Sequence, residues 1–240
     1  MDLIEFSNLM NKYGKEIEIE FTEEQLNKFY KYMNMLIEWN EKMNLTAIIE
    51  PKEIILKHFI DSLTILKYTQ NKKNFIDIGT GAGFPGIPIK IMKEDLEITL
   101  LDSLNKRINF LNEVIKELSL EKIIAIHSRI EDYGRNKEYR EKYDIVTARA
   151  VANLSTLSEY MLPMTKIGGQ SICMKGPDIE EEIEYGKKAV KILGGEIKKV
   201  EKLELPETKD KRTIIQITKI KNTPNKYPRK AGKPSKEPIC

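Results

Sequence analysis

The sequence predicts an α/β fold: seven strands in a mostly parallel sheet with helices on both faces, a C-terminal antiparallel hairpin and an N-terminal helical layer. Three observations predict it. From residue 75 onward, short apolar runs alternate with helical periodicities. A glycine-rich stretch at 75–88, FIDIGTGAGFPGIP, joins the first apolar run to a helix. The last two apolar runs are joined by a polar loop through Pro206 with no helix between them, so they pair as antiparallel neighbours.

Residues 2–13 and 22–39 read as helices. In the second, Thr22 is a favoured N-cap and Gln25 stands three residues later, a capping-box pattern. Leu26, Phe29, Tyr30, Met33, Leu36 and Ile37 then recur at helical spacing and mark its buried face. A polar turn at 44–46 follows, and Pro51 suits the first turn of a third helix running through Leu66. Strands are expected at 75–79, 97–102, 122–127, 143–148, 169–175, 196–205 and 213–220. Helices separate them at 88–93, 106–118, 154–164 and 178–193, with a polar, partly helical connector at 130–140. Strands linked through helices lie parallel. The expected units are a helical layer at 1–70, an α/β domain at 71–220 and a basic arm at 221–240.

With 240 residues the chain can bury one large core and carry a smaller appendage. No apolar run reaches the length needed to cross a bilayer. The acidic, amphipathic start lacks a signal peptide's basic opening, so a cytoplasmic protein without a membrane partner is expected. Cys173 and Cys240 form neither a metal spacing nor a disulfide framework, and His58 and His127 lack partners at ligand spacing. No metal is expected. Nothing points to an obligate dimer, and a monomer is the expectation. Net charge is only +3, which does not announce nucleic acid. Its distribution is more telling: residues 219–240 hold seven Lys or Arg against one acid. The prolines and lysines there resist regular structure, which leaves a disordered end or an extended arm across the surface.

In the glycine stretch, Gly79, Gly81 and Gly83 fall at alternate positions and Gly86 opens the helix. Glycine permits positive φ and close approach of the backbone to a ligand. Such a turn, outside the carboxyl end of a parallel strand, is where nucleotide-type ligands bind. Residues 81–86 also fit G-x-G-x-x-G in its required strand–turn–helix context. Asp77, two residues before the first glycine, argues against a dinucleotide: it would repel a pyrophosphate and attract the amino group of S-adenosylmethionine. Strand two ends in Asp102, whose carboxylate either accepts both ribose hydroxyls of a nucleoside or caps the following helix. Ile130 and Glu131, just after strand three, either meet an adenine or form a solvated loop. Arg149 follows strand four at the edge of the glycine turn, where it could meet a cofactor carboxylate or a substrate phosphate. Lys175 closes strand five at the same edge. No His or Cys dyad accompanies these groups, so no catalytic residue is assigned.

Eight stretches resemble one family across nearly the whole chain: NLTAI, KHFIDSL, DIGTGAGFPGIP, LLDSLNKRINFL, SRIED, TARAVANL, MKG and YPRKAGKPSKEPI. They resemble bacterial small-subunit ribosomal RNA methyltransferase G, also called glucose-inhibited division protein B, and the strand pattern resembles class I S-adenosylmethionine-dependent methyltransferases. The resemblance implies methylation of N7 of a guanine in 16S ribosomal RNA near the decoding site, with the RNA or the small ribosomal subunit as partner. Carried over by position, it implies that Gly79, Phe84, Ile130, Glu131 and Arg149 contact S-adenosylmethionine. Asp77, Gly81, Gly83 and Asp102 join them from the reading of the residues. Two departures from the family pattern stand out: Ala148 stands where some members have serine, and Leu104-Asn105 stands where some have a glycine.

The arm reads as an RNA clamp. Arg229, Lys230, Lys233 and Lys236 can neutralise phosphates, Tyr227 can stack on a base, and Lys175 adds a cation at the sheet edge. Truncation after Lys221 is then expected to cost RNA methylation much more than cofactor affinity. Three rival readings stand beside this one: a methyltransferase acting on a small molecule or protein, a nicotinamide-dependent oxidoreductase, and an RNA-binding protein without activity. The basic arm argues against the first. Asp77 and the closing hairpin argue against the second, and the intact glycines with Asp102 argue against the third.

Overall fold

The computed structural model describes residues 1–149 and 151–239. Ala150, which ends the TARA stretch, and Cys240 lie outside the described residues.

Helix α1 spans Leu3–Glu16, with the Asp2 carboxylate accepting from Glu5 N. Helix α2 spans Glu23–Met43, and both hydrogen bonds of the predicted capping box are present. It runs four residues past the expected end and stops at Asn44 in the left-handed region, φ 47°. The helix begun by Pro51 is composite: α3 is Pro51–Ile54, a π-helical turn covers Ile55–Ile60, and α4 is Asp61–Leu63. π-Turns are uncommon and concentrate at functional sites. This one carries Lys57 and His58.

The α/β part runs β1 (Asn74–Ile78), α5 (Gly86–Met92), β2 (Glu97–Asp102), α6 (Asn105–Glu117), β3 (Ile123–His127), α7 (Ile130–Arg135) and β4 (Tyr143–Arg149). It continues through α8 (Leu154–Met161), β5 (Thr165–Lys175), α9 (Glu180–Ile192), β6 (Gly195–Glu204) and β7 (Lys211–Lys219). The seven strands are ordered β3-β2-β1-β4-β5-β7-β6. β7 is antiparallel to both neighbours, and the other pairings are parallel, as the closing hairpin required. β5 starts four residues earlier than expected. Its KIGG segment has the composition of a turn, but Gly168 takes φ 78° within the strand, where the β4–β5 pairing slips between Tyr143 and Ile145.

The helical layer shares a core with one face of the sheet. Phe6, Phe29, Tyr32 and Phe59 cluster with Phe75, Ile87 and Phe110. Tyr32 and Phe59 stack at 5.4 Å. The other face is covered by α8 and α9 and by the C-terminal arm, whose Tyr227 and Ile239 join the second core.

Of the two expectations for the arm, the extended one is realised, ending in a short helix α10, Lys233–Lys236. Arg140 holds its backbone, donating to Thr223 O at 2.6 Å and Tyr227 O at 2.8 Å. Lys219, fully buried, donates to Thr223 Oγ1 and pairs with Glu141 at 3.1 Å. Arg229 forks onto the Glu159 carboxylate with Nη2 at 2.7 Å and Nε at 3.0 Å. Among the described residues no helix is long and apolar enough to cross a membrane.

Candidate cofactor site

Strand order reverses between β1 and β4, the switch point at which open α/β sheets bind ligands. A cavity of about 740 Å³ opens there, within the usual range for cofactor sites. Four strand ends supply part of it: Gly79 and Gly81 after β1, Asp102 and Ser103 at β2, Arg129, Ile130 and Glu131 after β3, Arg149 and Val151 at β4. Gly79 and Gly81 hold φ of 64° and 63°, so the backbone needs glycine here. A Cβ on Gly81 would meet nothing within 4 Å, so the turn shows bare backbone to the cavity.

Asp102 is 2% exposed. Its carboxylate accepts from Gly81 N at 2.9 Å, Leu104 N at 2.9 Å and Arg107 Nη1 at 3.1 Å. The helix-cap reading of Asp102 is not realised, because α6 begins after Leu104 with no side-chain cap hydrogen bond; Asp102 instead ties down the backbone after β2 and lines the cavity. Glu131 also lines the cavity, and it accepts from Gly232 N of the arm at 2.8 Å. Ala231, Gly232 and Ser235 complete the wall.

Three sequence candidates do not line the cavity. Asp77 is fully buried beneath the turn, where Oδ2 accepts from Thr80 Oγ1 at 2.6 Å and from Gly86 N at 2.9 Å. Its carboxylate staples the two ends of the glycine turn rather than facing a ligand. Burial pushes this carboxyl up to about 7, against the two hydrogen bonds. Gly83 is a packing glycine: at φ 103°, an added Cβ would lie 2.6 Å from Ile87 and 2.7 Å from the Tyr32 hydroxyl. Phe84 is stacked on His58 at 4.4 Å and on Tyr32 at 5.4 Å. Its ring supports the Arg149 guanidinium, 5.1 Å from the ring centre.

Arg149 is the hub between sheet and helical layer. Nη1 donates to Lys57 O at 3.0 Å and to Asp61 Oδ2 at 3.2 Å, and Nη2 to His58 Nδ1 at 3.2 Å. Guanidinium only donates, so His58 Nδ1 is the acceptor and Nε2 carries the proton toward Thr46 Oγ1 at 2.9 Å. Burial, then the charge of Arg149, push this imidazole down to about 3, so it is neutral. Asp61 also accepts from Arg212 Nε at 3.2 Å. Burial raises its carboxyl while the two arginines pull it down. The π-turn presents the Lys57 carbonyl and the His58 ring to one guanidinium.

The candidates for RNA divide. Lys230, Lys233 and Lys236 are exposed. Tyr227 is buried in the second core and cannot stack on a base without leaving it. Arg229 is committed to Glu159, and Lys175 to Glu182 at 2.6 Å and the Ala152 carbonyl. Because the arm walls the cavity, its truncation removes part of the cofactor site as well as the exposed lysines. Truncation after Lys221, expected to cost RNA methylation much more than cofactor affinity, would therefore also open the cavity wall at Ala231, Gly232 and Ser235.

Sequence reasoning missed Arg107, Arg129, Val151, Tyr160 and the arm's Ala231, Gly232 and Ser235. Arg107 and Arg129 carried a signal, each within five residues of an assigned position. Tyr160 carried none, and the arm's motif pointed to RNA rather than to the cavity, because their approach is a long-range packing event.

The fold and the glycine cavity define a class I methyltransferase architecture, and solved structures share the fold. M. jannaschii TYW2 in complex with AdoMet superposes with a TM-score of 0.53 at 17% identity, covering 68% of this chain and 76% of that one. A SAM dependent methyltransferase from Aquifex aeolicus gives 0.53 at 18% identity, covering 74% and 97%. The family model described as GidB, rRNA small subunit methyltransferase G, matches residues 25–214. "Ribosomal RNA small subunit methyltransferase G" of Desulforamulus reducens is 58% identical over 96% of this chain and 97% of its own length. The protein of the same name from Clostridium tetani is 52% identical over 98% and 100%. The chain belongs to the rRNA small subunit methyltransferase G family, which sets aside the nicotinamide reading.

Proposed function

We propose that the protein transfers a methyl group from S-adenosylmethionine to N7 of a guanine in 16S ribosomal RNA near the decoding site. The observation that carries the cofactor assignment is the switch-point cavity, with bare glycine backbone on one side and the Asp102 carboxylate on the other. The residues present fit the cofactor. Asp102 can accept ribose hydroxyls, Ile130 can pack on an adenine, and the Gly79–Gly81 backbone leaves room for the amino-acid end. When bound, the cofactor supplies a methyl group activated by a sulfonium. The names of the relatives support small-subunit ribosomal RNA as substrate, and the family resemblance supports guanine N7.

Guanine N7 is a neutral nucleophile with an exposed lone pair, so the site has no proton to remove. The work of the protein is to hold N7 in line at near-attack distance. Positive charge moves onto the purine during transfer, where carboxylate and carbonyl groups stabilise it. A ribosomal RNA substrate supports the reading of a cytoplasmic enzyme, and the chain is proposed to act as a monomer. The experiment maps N7-methylguanine in 16S RNA from cells with and without this protein, alongside transfer of labelled methyl to that RNA in vitro. Loss of one N7-methylguanine on deletion is expected, and an unchanged map sinks the reading.

A further inference from the structure

A second cavity, about 380 Å³, adjoins the first on the side of the helical layer. Among the described residues Arg149 alone lines both. Ile48, Met174 and Ile214 give the second cavity an apolar surface, and charged groups including Lys57, Asp61, Lys175 and Arg212 complete its lining. Two observations decide what it can hold. Its four cations face three carboxylates and are all engaged: Lys57 pairs with Glu53 at 2.7 Å, Lys175 with Glu182 at 2.6 Å, and Arg149 and Arg212 share Asp61 at 3.2 Å. A phosphate would find little net charge there. An apolar slot with a few polar groups instead matches the way extruded bases are held, by contact on their faces and hydrogen bonds at their edges.

We propose that this cavity receives the target guanine, extruded from the RNA, with N7 turned toward the glycine cavity past Arg149 and the O6 acceptor within reach of the Arg212 guanidinium. The proposal rests on the methyltransferase reading above. Ile48 and Met174 grip the faces of the base. Arg149, pinned by Asp61, His58 and the Lys57 carbonyl, sets the separation of base and cofactor. Asp61 and His58 are positioning residues: they act on the base through Arg149.

The test uses the full chain with two substitutions. Ile48→Trp fills the slot from a loop, and Met174→Ala empties the opposite wall. S-Adenosylmethionine affinity is measured by calorimetry, 16S RNA affinity by filter binding, and methyl transfer by label incorporation. Ile48→Trp is expected to lower kcat/KM about 100-fold and Met174→Ala about tenfold, with cofactor affinity held within about twofold. Unchanged transfer in both variants overturns the proposal, as does cofactor affinity that falls in step with transfer. A wild-type protein that methylates a different base, with Ile48→Trp still selectively impaired, overturns the guanine but keeps the cavity. A wild-type protein that methylates no RNA overturns both this proposal and the reading beneath it.

Discussion

Replacing Arg229 with alanine removes three of the four hydrogen bonds that hold the Glu159 carboxylate. Glu159 is 0% exposed, so water cannot replace what is lost. Removing one member of a buried ion pair costs about 3–5 kcal/mol. Arg229 keeps 21% of its side chain in solvent, and its backbone N–H still donates at 2.7 Å, so the low end, about 3 kcal/mol, is expected. In a chain of this size each kcal/mol moves the thermal midpoint by about 2–4 °C, which gives a fall of about 6–12 °C. The arm also walls the cofactor cavity, so S-adenosylmethionine should bind more weakly, and its stabilising effect on the melt should shrink. Thermal melts with and without cofactor measure both. The double variant Glu159→Leu/Arg229→Met removes both charges and should recover most of the loss. A fall of less than about 2 °C, or a double variant no better than the single one, would refute the argument.

Gly83→Ala forces a Cβ to 2.6 Å from Ile87 at φ 103°, so a loss of about 1–3 kcal/mol is expected in urea melts. Wild-type stability there would show that the α5 packing yields. Asp77 holds its proton to about 7 when folded, against an ordinary 3.8. That contribution is full below the unfolded value and is lost as pH rises through about 7, so Asp77→Asn should gain on wild type between about pH 4 and 7. Parallel stability curves across that range would contradict the burial argument. Replacing Lys230, Lys233 and Lys236 together with glutamate should weaken RNA binding and flatten its salt dependence by about 0.7–0.9 per lost phosphate contact. An unchanged salt slope would place the RNA on another face.

Much of the scaffold was legible because its signals are local. Thr22 and Gln25 sit three residues apart and make the capping box they promised. The apolar runs gave the strands, and the loop through Pro206 gave the antiparallel partner. Gly79, Gly81, Asp102, Ile130, Glu131 and Arg149 all reach the cavity, because strand ends and switch points follow from topology. What local signals could not show was direction and distance. Asp77 stands in the right stretch, yet its side chain turns down into the core, where Thr80 and Gly86 claim it. The arm has the composition of a disordered tail, but composition is blind to partners such as Glu131, Arg140 and Glu159, 70 to 101 residues away. The π-turn was also invisible, since Ile55–Ile60 has the same apolar spacing as an α-helix.

The docked arm has a consequence for how the enzyme is made. Gly79 and Gly81 leave the translating ribosome about 150 residues before Gly232, and chains fold their early units first. The sheet can form around its glycine turn while the pocket still lacks the wall that Gly232 and Ser235 supply. A polypeptide interrupted ahead of Arg229 would keep the look of a methyltransferase without a closed seat for its cofactor. Closure of the cavity comes last in synthesis, so a chain terminated before the arm is expected to lose S-adenosylmethionine affinity even where its sheet has formed.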